Sequence, residues 1–182
     1  LMDTIIETGE DLLDTVEKER QVVDTLVEAG EPAPTELSAV LEDAIADVRD
    51  QYPNATIEAE APEAVSVMAA PDLRDAIREL LKNAIQHADQ PSPAVELLVD
   101  LDPESESVRV RISDDAPSIP GNEIDPLFAD TDPSAVYHGT GLGLWLVYWI
   151  VDICNGTLSF DRTTDDTGNV VTVRLPRATS SC

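Results

Sequence analysis

The sequence predicts an α+β domain: a two-layer sandwich with helices on one face of a mixed β-sheet, preceded by a long N-terminal helix. Three observations carry that prediction. Amphipathic segments with a period near 3.6 residues interleave with short runs that alternate apolar and polar residues. Adjacent strand-like runs are joined by short turns, so the sheet is mixed and not doubly wound. The 182 residues, 42% hydrophobic but only 4% aromatic, suffice to bury one real core.

Residues 2–28 form an amphipathic helical pattern, with Ile5, Ile6, Leu12, Leu13, Val16, Val23, Leu26 and Val27 as its apolar stripe and Gly9 as its weak point. Gly30-Glu31-Pro32-Ala33-Pro34 ends it as a linker. A second helix starts near Thr35 as N-cap and carries Leu37, Val40, Leu41, Ala44, Ile45 and Val48 to a stop at Tyr52-Pro53. Short strands are expected over 56–61 and 65–68. A third helix opens at Pro71-Asp72, with Asp72 as N-cap, and runs to about Ala88, where Pro91-Ser92-Pro93 breaks the chain. Strands 95–101 and 108–113 flank the turn Asp102-Pro103-Glu104, the second with Val108, Val110 and Ile112 on one face. Residues 114–138, rich in Asp, Pro and Ser, read as a long irregular segment, a kind usually kept for function. An apolar helix from Leu142 and a closing hairpin of strands 158–161 and 170–175 complete the pattern.

Composition bounds the partners. Asp and Glu number 37 against 11 Lys and Arg, a formal net charge of -26. The only lysines are Lys18 and Lys82. A surface of that sign is a poor match for duplex nucleic acid, which demands a basic face. The acid is spread along the chain, which predicts adaptation to molar intracellular salt; an ordinary solvated acidic surface is the plainer reading. Cys154 and Cys182 make neither a disulfide framework nor a zinc site. The apolar run 142–153 is too short to span a bilayer, so no membrane contact by this chain and a cytoplasmic location are expected. The chain begins at Leu1 inside a helical pattern, which predicts an excised piece of a longer protein.

Three segments could carry chemistry. In Gly139-Thr140-Gly141-Leu142-Gly143-Leu144, three of the chain's eight glycines open an apolar helix. Backbone N–H groups freed of side chains, backed by a helix N-terminus, can cradle an anion such as a phosphate. The spacing is neither a dinucleotide fingerprint nor a P-loop. Glu79, Asn83 and His87 recur at four-residue steps on a predicted helix whose other face holds Ile77, Leu80, Leu81, Ala84 and Ile85. A carboxylate, an amide oxygen and an imidazole in one stripe can hold Mg²⁺ with its waters and reach a phosphate; a plain solvated face is the alternative. Asp114, at the end of an alternating strand before a Pro-rich turn, can accept a hydrogen bond from an exocyclic amine such as adenine's.

The order of these segments resembles the ATP-binding domain of sensor histidine kinases, in the GHKL superfamily that includes gyrase B, Hsp90 and MutL. The resemblance covers roughly residues 35–176. Glu79-x-x-x-Asn83-Ala84 resembles the family's N box, Asp114 to Pro120 its first glycine box, Phe128 its F box and Gly139 to Leu144 its second glycine box. Asn155-Gly156 and the run from Gly168 to Pro176 resemble its closing hairpin. The fold so implied is the Bergerat-type ATP-binding fold over residues 31–182. Residues 1–30 are similar to the second helix of a dimerisation and phosphoacceptor hairpin, through which the intact protein would form a homodimer.

The resemblance implies ATP and Mg²⁺ as ligands. Asn83 would coordinate the metal, and Glu79 would orient a metal-bound water or act as base. Lys82 and His87 would meet the phosphates. Asp114 would read the adenine amine, with Ala116, Ser118, Ile119 and Asn169 also in the ATP site. Gly139, Thr140, Gly141, Leu142, Gly143 and Leu144 would lie along the phosphates, and residues 129–138 would be a mobile lid. The γ-phosphoryl group would pass to a histidine outside this chain, since residues 1–28 hold none, and from there to a response-regulator receiver domain. One departure stands out: where the family's first box is usually Asp-x-Gly-x-Gly, this chain has Ala116 and Ser118. Losing the φ > 0 freedom of glycine there predicts weaker nucleotide affinity or a different turn conformation. A degenerate nucleotide-sensing or dimerisation module, or a related ATPase or serine-directed kinase, stays open on the sequence.

Overall fold

The structure, a computed structural model, describes residues 30–102, 105–128 and 142–178. Its order is β1 (Ala33–Glu36), α1 (Leu37–Gln51), β2 (Thr56–Glu60), β3 (Ser66–Ala69), α2 (Leu73–Gln86), β4 (Ala94–Leu101), β5 (Ser107–Asp114), α3 (Gly121–Phe128), α4 (Leu142–Ile153), β6 (Thr157–Arg162) and β7 (Asn169–Pro176). The main sheet has the order β2-β4-β5-β7-β6, with β2 parallel to β4 and every other pair antiparallel. This is the mixed, helix-covered α+β sandwich that the residue pattern predicts.

Strict alternation in β4 and β5 sets the core. Val95, Leu97 and Val99 point inward, as do Val108, Val110 and Ile112, and Leu97 pairs with Ile112 and Val99 with Val110 across the ladder. Val171, Val173 and Leu175 of β7 continue the same layer. A one-residue slip would turn all of them to solvent, so burial fixes the register. Helices α1, α2 and α4 cover this face with Leu41, Val48, Ile77, Leu81, Leu146 and Ile150, and α2 packs between the other two.

Several boundaries differ from the sequence reading. The segment read as a linker is partly β1, which pairs antiparallel with β3 outside the main sheet. Pro34 fits there because a two-stranded edge needs few ladder donors. Thr35 is accordingly in that strand, and Glu36 holds the N-cap position of α1. Asp72 does cap α2 by position, but without a side-chain hydrogen bond. Within the segment read as irregular, residues 121–128 form α3, which tolerates Pro126 in its interior. Its Leu127 is buried, whereas Phe128 is 55% exposed and meets Tyr148 and Phe160 edge-on.

Helix α4 stops by a Schellman arrangement. Gly156 N–H donates to Val151 O at 2.9 Å, Asn155 N–H donates to Asp152 O at 2.8 Å, and Asn155 takes φ 54. Gly156 must lack a Cβ, since one would sit 2.6 Å from Arg174 O on β7. Cys154 is a core residue, as its apolar surroundings suggest, with its sulfur accepting the Ala70 N–H. Among the described residues no helix is long and apolar enough to cross a membrane. The expected N-terminal helix, and the expected lid over 129–138, lie outside the described residues.

Candidate functional site

At the end of the sheet where β5 finishes and β7 begins, a cavity of about 230 Å³ opens between the sheet and helices α2 and α4. Four segments distant in sequence line it. From α2 come Leu80, Asn83, Ala84 and His87; from the turn after β5 come Asp114, Ala116, Ser118 and Ile119; α4 gives Leu144, and β7 gives Asn169. The floor is apolar, built from Ile112 and Val171, which are cross-strand partners. A largely apolar slot with a few convergent polar groups is what an organic ligand needs.

Asn83, His87, Asp114, Ala116, Ser118, Ile119, Leu144 and Asn169 were singled out from sequence, and the structure brings all of them to this one wall. Leu142, Gly143, Glu79 and Lys82 are not part of the lining. Gly139, Thr140 and Gly141 lie outside the described residues. The sequence reading missed Leu80, Ala84, Ile112, Pro117, Pro120, Glu123 and Val171. A signal for the first two existed: Leu80, Asn83, Ala84 and His87 follow the i, i+3, i+4, i+7 spacing of one helical face.

That spacing divides the expected ligand stripe of α2, keeping Asn83 and His87 on the cavity and leaving Glu79 out of its lining. Steps of four residues drift around the helix, so Glu79 lies off the cavity face and is only 3% exposed. Lys82 is buried too, with its Nζ 3.8 Å from Glu79 Oε2. The two groups form an ion pair within one turn of α2, on the side that α4 covers. Glu79 also packs on the first turn of α4. A Cβ on Gly143 would overlap Glu79 Oε1 and come within 3.1 Å of its Cγ and Cδ. The last glycine of the run is therefore required by the carboxylate of α2.

The turn after β5 is held by side chains. Asp114 Oδ1 accepts the Ala116 N–H at 2.9 Å and the Asn169 Nδ2–H at 2.8 Å. Asn169, 4% exposed, also donates to Ala116 O at 3.2 Å and Pro117 O at 3.0 Å, and its Oδ1 accepts the Ile119 N–H at 3.2 Å. Neither Ala116 nor Ser118 has a positive φ. Alanine and serine therefore adopt this turn without the φ > 0 freedom of glycine. Gly168 makes the close approach instead: a Cβ there would overlap Asp114 O and come within 2.8 Å of its carbonyl carbon.

Burial pushes the Asp114 carboxyl above its ordinary value of 3.8. Its bonds from the Asn169 side chain and the Ala116 and Asn169 N–H groups pull the other way, and neighbouring Asp115 adds to the rise. For an acid raised on folding, the stabilising contribution is full below pH 3.8 and is lost as pH rises through the folded value. Keeping the ionised form of Asp114 half-buried thus costs stability, as is common for groups in binding sites.

Trp145 is buried while Tyr148 and Trp149 are half-buried, so the aromatic cluster of α4 serves mainly as packing. Trp145 stacks on Trp149 with ring centres 6.2 Å apart.

Comparison with known proteins places this architecture. The model for histidine kinase-, DNA gyrase B- and HSP90-like ATPases matches residues 68–179, which include α2, the turn after β5, α4 and β7. Among solved structures, the mycobacterial sensor histidine kinase MprB superimposes with a TM-score of 0.66 at 22% identity, over 80% of this chain and 97% of that one. The histidine kinase domain of the E. coli osmosensor EnvZ gives 0.61 at 24% identity, over 84% and 93%. The Acinetobacter baumannii histidine kinase AdeS gives 0.65 at 17% identity, over 98% and 84%. These likenesses show a shared fold. No curated protein sequence matches. With the matching model spanning more than half of the chain and containing every wall of the cavity, the chain belongs to the family of histidine kinase-, DNA gyrase B- and HSP90-like ATPases.

Proposed function

We propose that residues 31–182 are the catalytic domain of a two-component sensor histidine kinase, with the cavity as its Mg-ATP site. Residues 1–30 would be the second helix of the dimerisation and phosphoacceptor hairpin. The observation that carries this reading is the convergence of Asn83, His87, Asp114, Leu144 and Asn169, from four separate segments, on one cavity. The apolar floor suits a planar base, Asp114 offers an acceptor for its amine, and Asn83 of α2 lines the cavity together with Leu144 of α4.

The residues present fit a magnesium ion. Asn83 would supply an uncharged oxygen at the cavity wall, while the Glu79 carboxylate, one turn earlier on α2, lies off that wall against Gly143 and Lys82. Among the described residues no cluster of three or more His, Cys, Asp or Glu could hold a metal unaided. That suits Mg²⁺, which keeps several waters and takes much of its shell from substrate phosphates. When bound, the ion neutralises phosphate charge, which matters in a chain of net charge -26 that otherwise repels a polyanion.

The reaction moves the γ-phosphoryl group of ATP to an imidazole nitrogen of a histidine outside this chain. The bond to the β-phosphate oxygen breaks, ADP leaves, and a receiver-domain aspartate accepts the group afterwards. The chain's own contribution is positioning: Asp114 and the apolar slot fix the base, and Asn83 and His87 face the phosphate end.

Calorimetric titration with Mg-ADP in molar KCl, where charge repulsion is screened within about 3 Å, tests the binding half of the proposal. Saturable heat at or below millimolar nucleotide is expected; its absence overturns the kinase reading and leaves the degenerate module. In a longer protein carrying the histidine, Asn83→Ala should abolish phosphotransfer with an unchanged melting temperature. Retained activity would remove Asn83 from the metal.

A further inference from the structure

The amide of Asn169 can be placed in only one orientation. Its Nδ2 faces three acceptors, Asp114 Oδ1, Ala116 O and Pro117 O. Its Oδ1 faces two donors, the Ile119 N–H and Arg162 Nη1–H, both at 3.2 Å. Swapping oxygen and nitrogen would oppose donor to donor and acceptor to acceptor, so the network fixes the amide. Arg162 is anchored in its turn by Nε donating to Asp166 Oδ1 at 2.9 Å, in the β6–β7 hairpin where Asp166 takes φ 58. The chain of contacts therefore runs from the hairpin through Arg162 and Asn169 to Asp114.

Its consequence concerns the two oxygens of Asp114. Oδ1 is taken by Ala116 N–H and Asn169. Among the described residues Oδ2 accepts nothing, while Asp114 lines the cavity. We propose that Asn169, held by Arg162, is a positioning residue that fixes Asp114 with its Oδ2 free to accept from a base, selecting adenine nucleotides over guanine nucleotides. Adenine presents an amino group where guanine presents a carbonyl oxygen. A fixed carboxylate oxygen accepts from the first and repels the second, whereas a freely rotating one would discriminate less. This turn holds no glycine of its own, so its shape is set by the Asn169 and Asp114 side chains.

The inference rests on reading the cavity as a nucleotide site, and its test keeps the two apart. One arm needs no nucleotide: amide hydrogen exchange of the wild-type chain and Asn169→Ala, read at Ala116 and Ile119. Protection at both amides should fall in the variant; unchanged protection overturns the proposal whatever the cavity binds. The second arm measures the ratio of Mg-GDP to Mg-ADP dissociation constants by calorimetry. The wild-type chain should prefer ADP, and Asn169→Ala should lower that preference by roughly tenfold, the usual effect of a buried polar group losing its partner. Arg162→Gln, an exposed site away from the cavity lining, should fold normally and lower the preference by about threefold. A general loosening of the site would weaken both nucleotides together, so an unchanged ratio in folded variants overturns the proposal. Binding of neither nucleotide by the wild-type chain brings it down together with the nucleotide reading.

Discussion

Gly143 and Ala116 are both buried beside the same cavity, and they answer opposite demands. Gly143 sits in the first turn of α4, where a methyl group would overlap the buried Glu79 carboxylate. Ala116 carries its methyl group into the cavity wall at 1% exposure, with an ordinary negative φ. Glycine is thus retained in this site where a neighbour occupies the Cβ position. It is dispensable where side-chain hydrogen bonds, here from Asp114 and Asn169, shape the turn. In that second region the position that requires glycine is Gly168, which lies against the Asp114 backbone.

The comparison breaks most visibly at Gly168. Its Cβ would meet backbone atoms of Asp114 and Asp115, the latter's Cα at 3.0 Å, and backbone cannot rotate aside. Gly168→Ala is expected to cost about 3 kcal/mol or more, at the upper end of overpacking effects. Urea denaturation reads this directly, and an effect below ~1 kcal/mol would show that the hairpin yields easily and does not brace the turn.

Gly143→Ala should cost less, because the obstacle is a side chain. Overpacking against Glu79 opposes a helix-propensity gain of about 1 kcal/mol, leaving a net loss of about 2 kcal/mol. The sharper measurement is a double-mutant cycle with Glu79→Ala. If the carboxylate is what requires glycine, Gly143→Ala becomes neutral or stabilising once Glu79 is gone. Additive costs would mean that another neighbour sets the requirement.

These two regions were also unequally legible in the sequence. Alternation in β4 and β5 and the apolar run of α4 identified the core and one cavity wall, because burial on one face leaves a periodic trace. Asn83 and Asp114 stood out by their placement beside those elements. The burial of Glu79 and Lys82 left no such trace. It depends on α4, whose contact with α2 joins residues more than sixty positions apart, and on a charge pair that mimics a solvated stripe. The Asn169 network was equally hidden, since an asparagine after Asp-Asp-Thr-Gly reads as ordinary turn chemistry. Helix α3 escaped notice because Pro120, Pro126 and their acidic neighbours suppress the helical signal locally, while burial of Leu127 secures the helix in the fold.

The smallest effect, and the one that most directly probes the difference between the regions, belongs to Ala116→Gly. Restoring the small residue gains nothing if the turn has no use for positive φ. It frees the unfolded chain by about 0.4–1 kcal/mol and removes a buried methyl group worth roughly 0.8 kcal/mol. The variant should therefore be destabilised by about 1.5 kcal/mol. Mg-ADP affinity should fall with it, since the turn then spends part of its time outside the shape that Asn169 holds. Denaturation and calorimetry on the same protein decide the matter: a more stable variant that binds more tightly would mean that Ala116 is strained, and that this turn still works toward a glycine conformation.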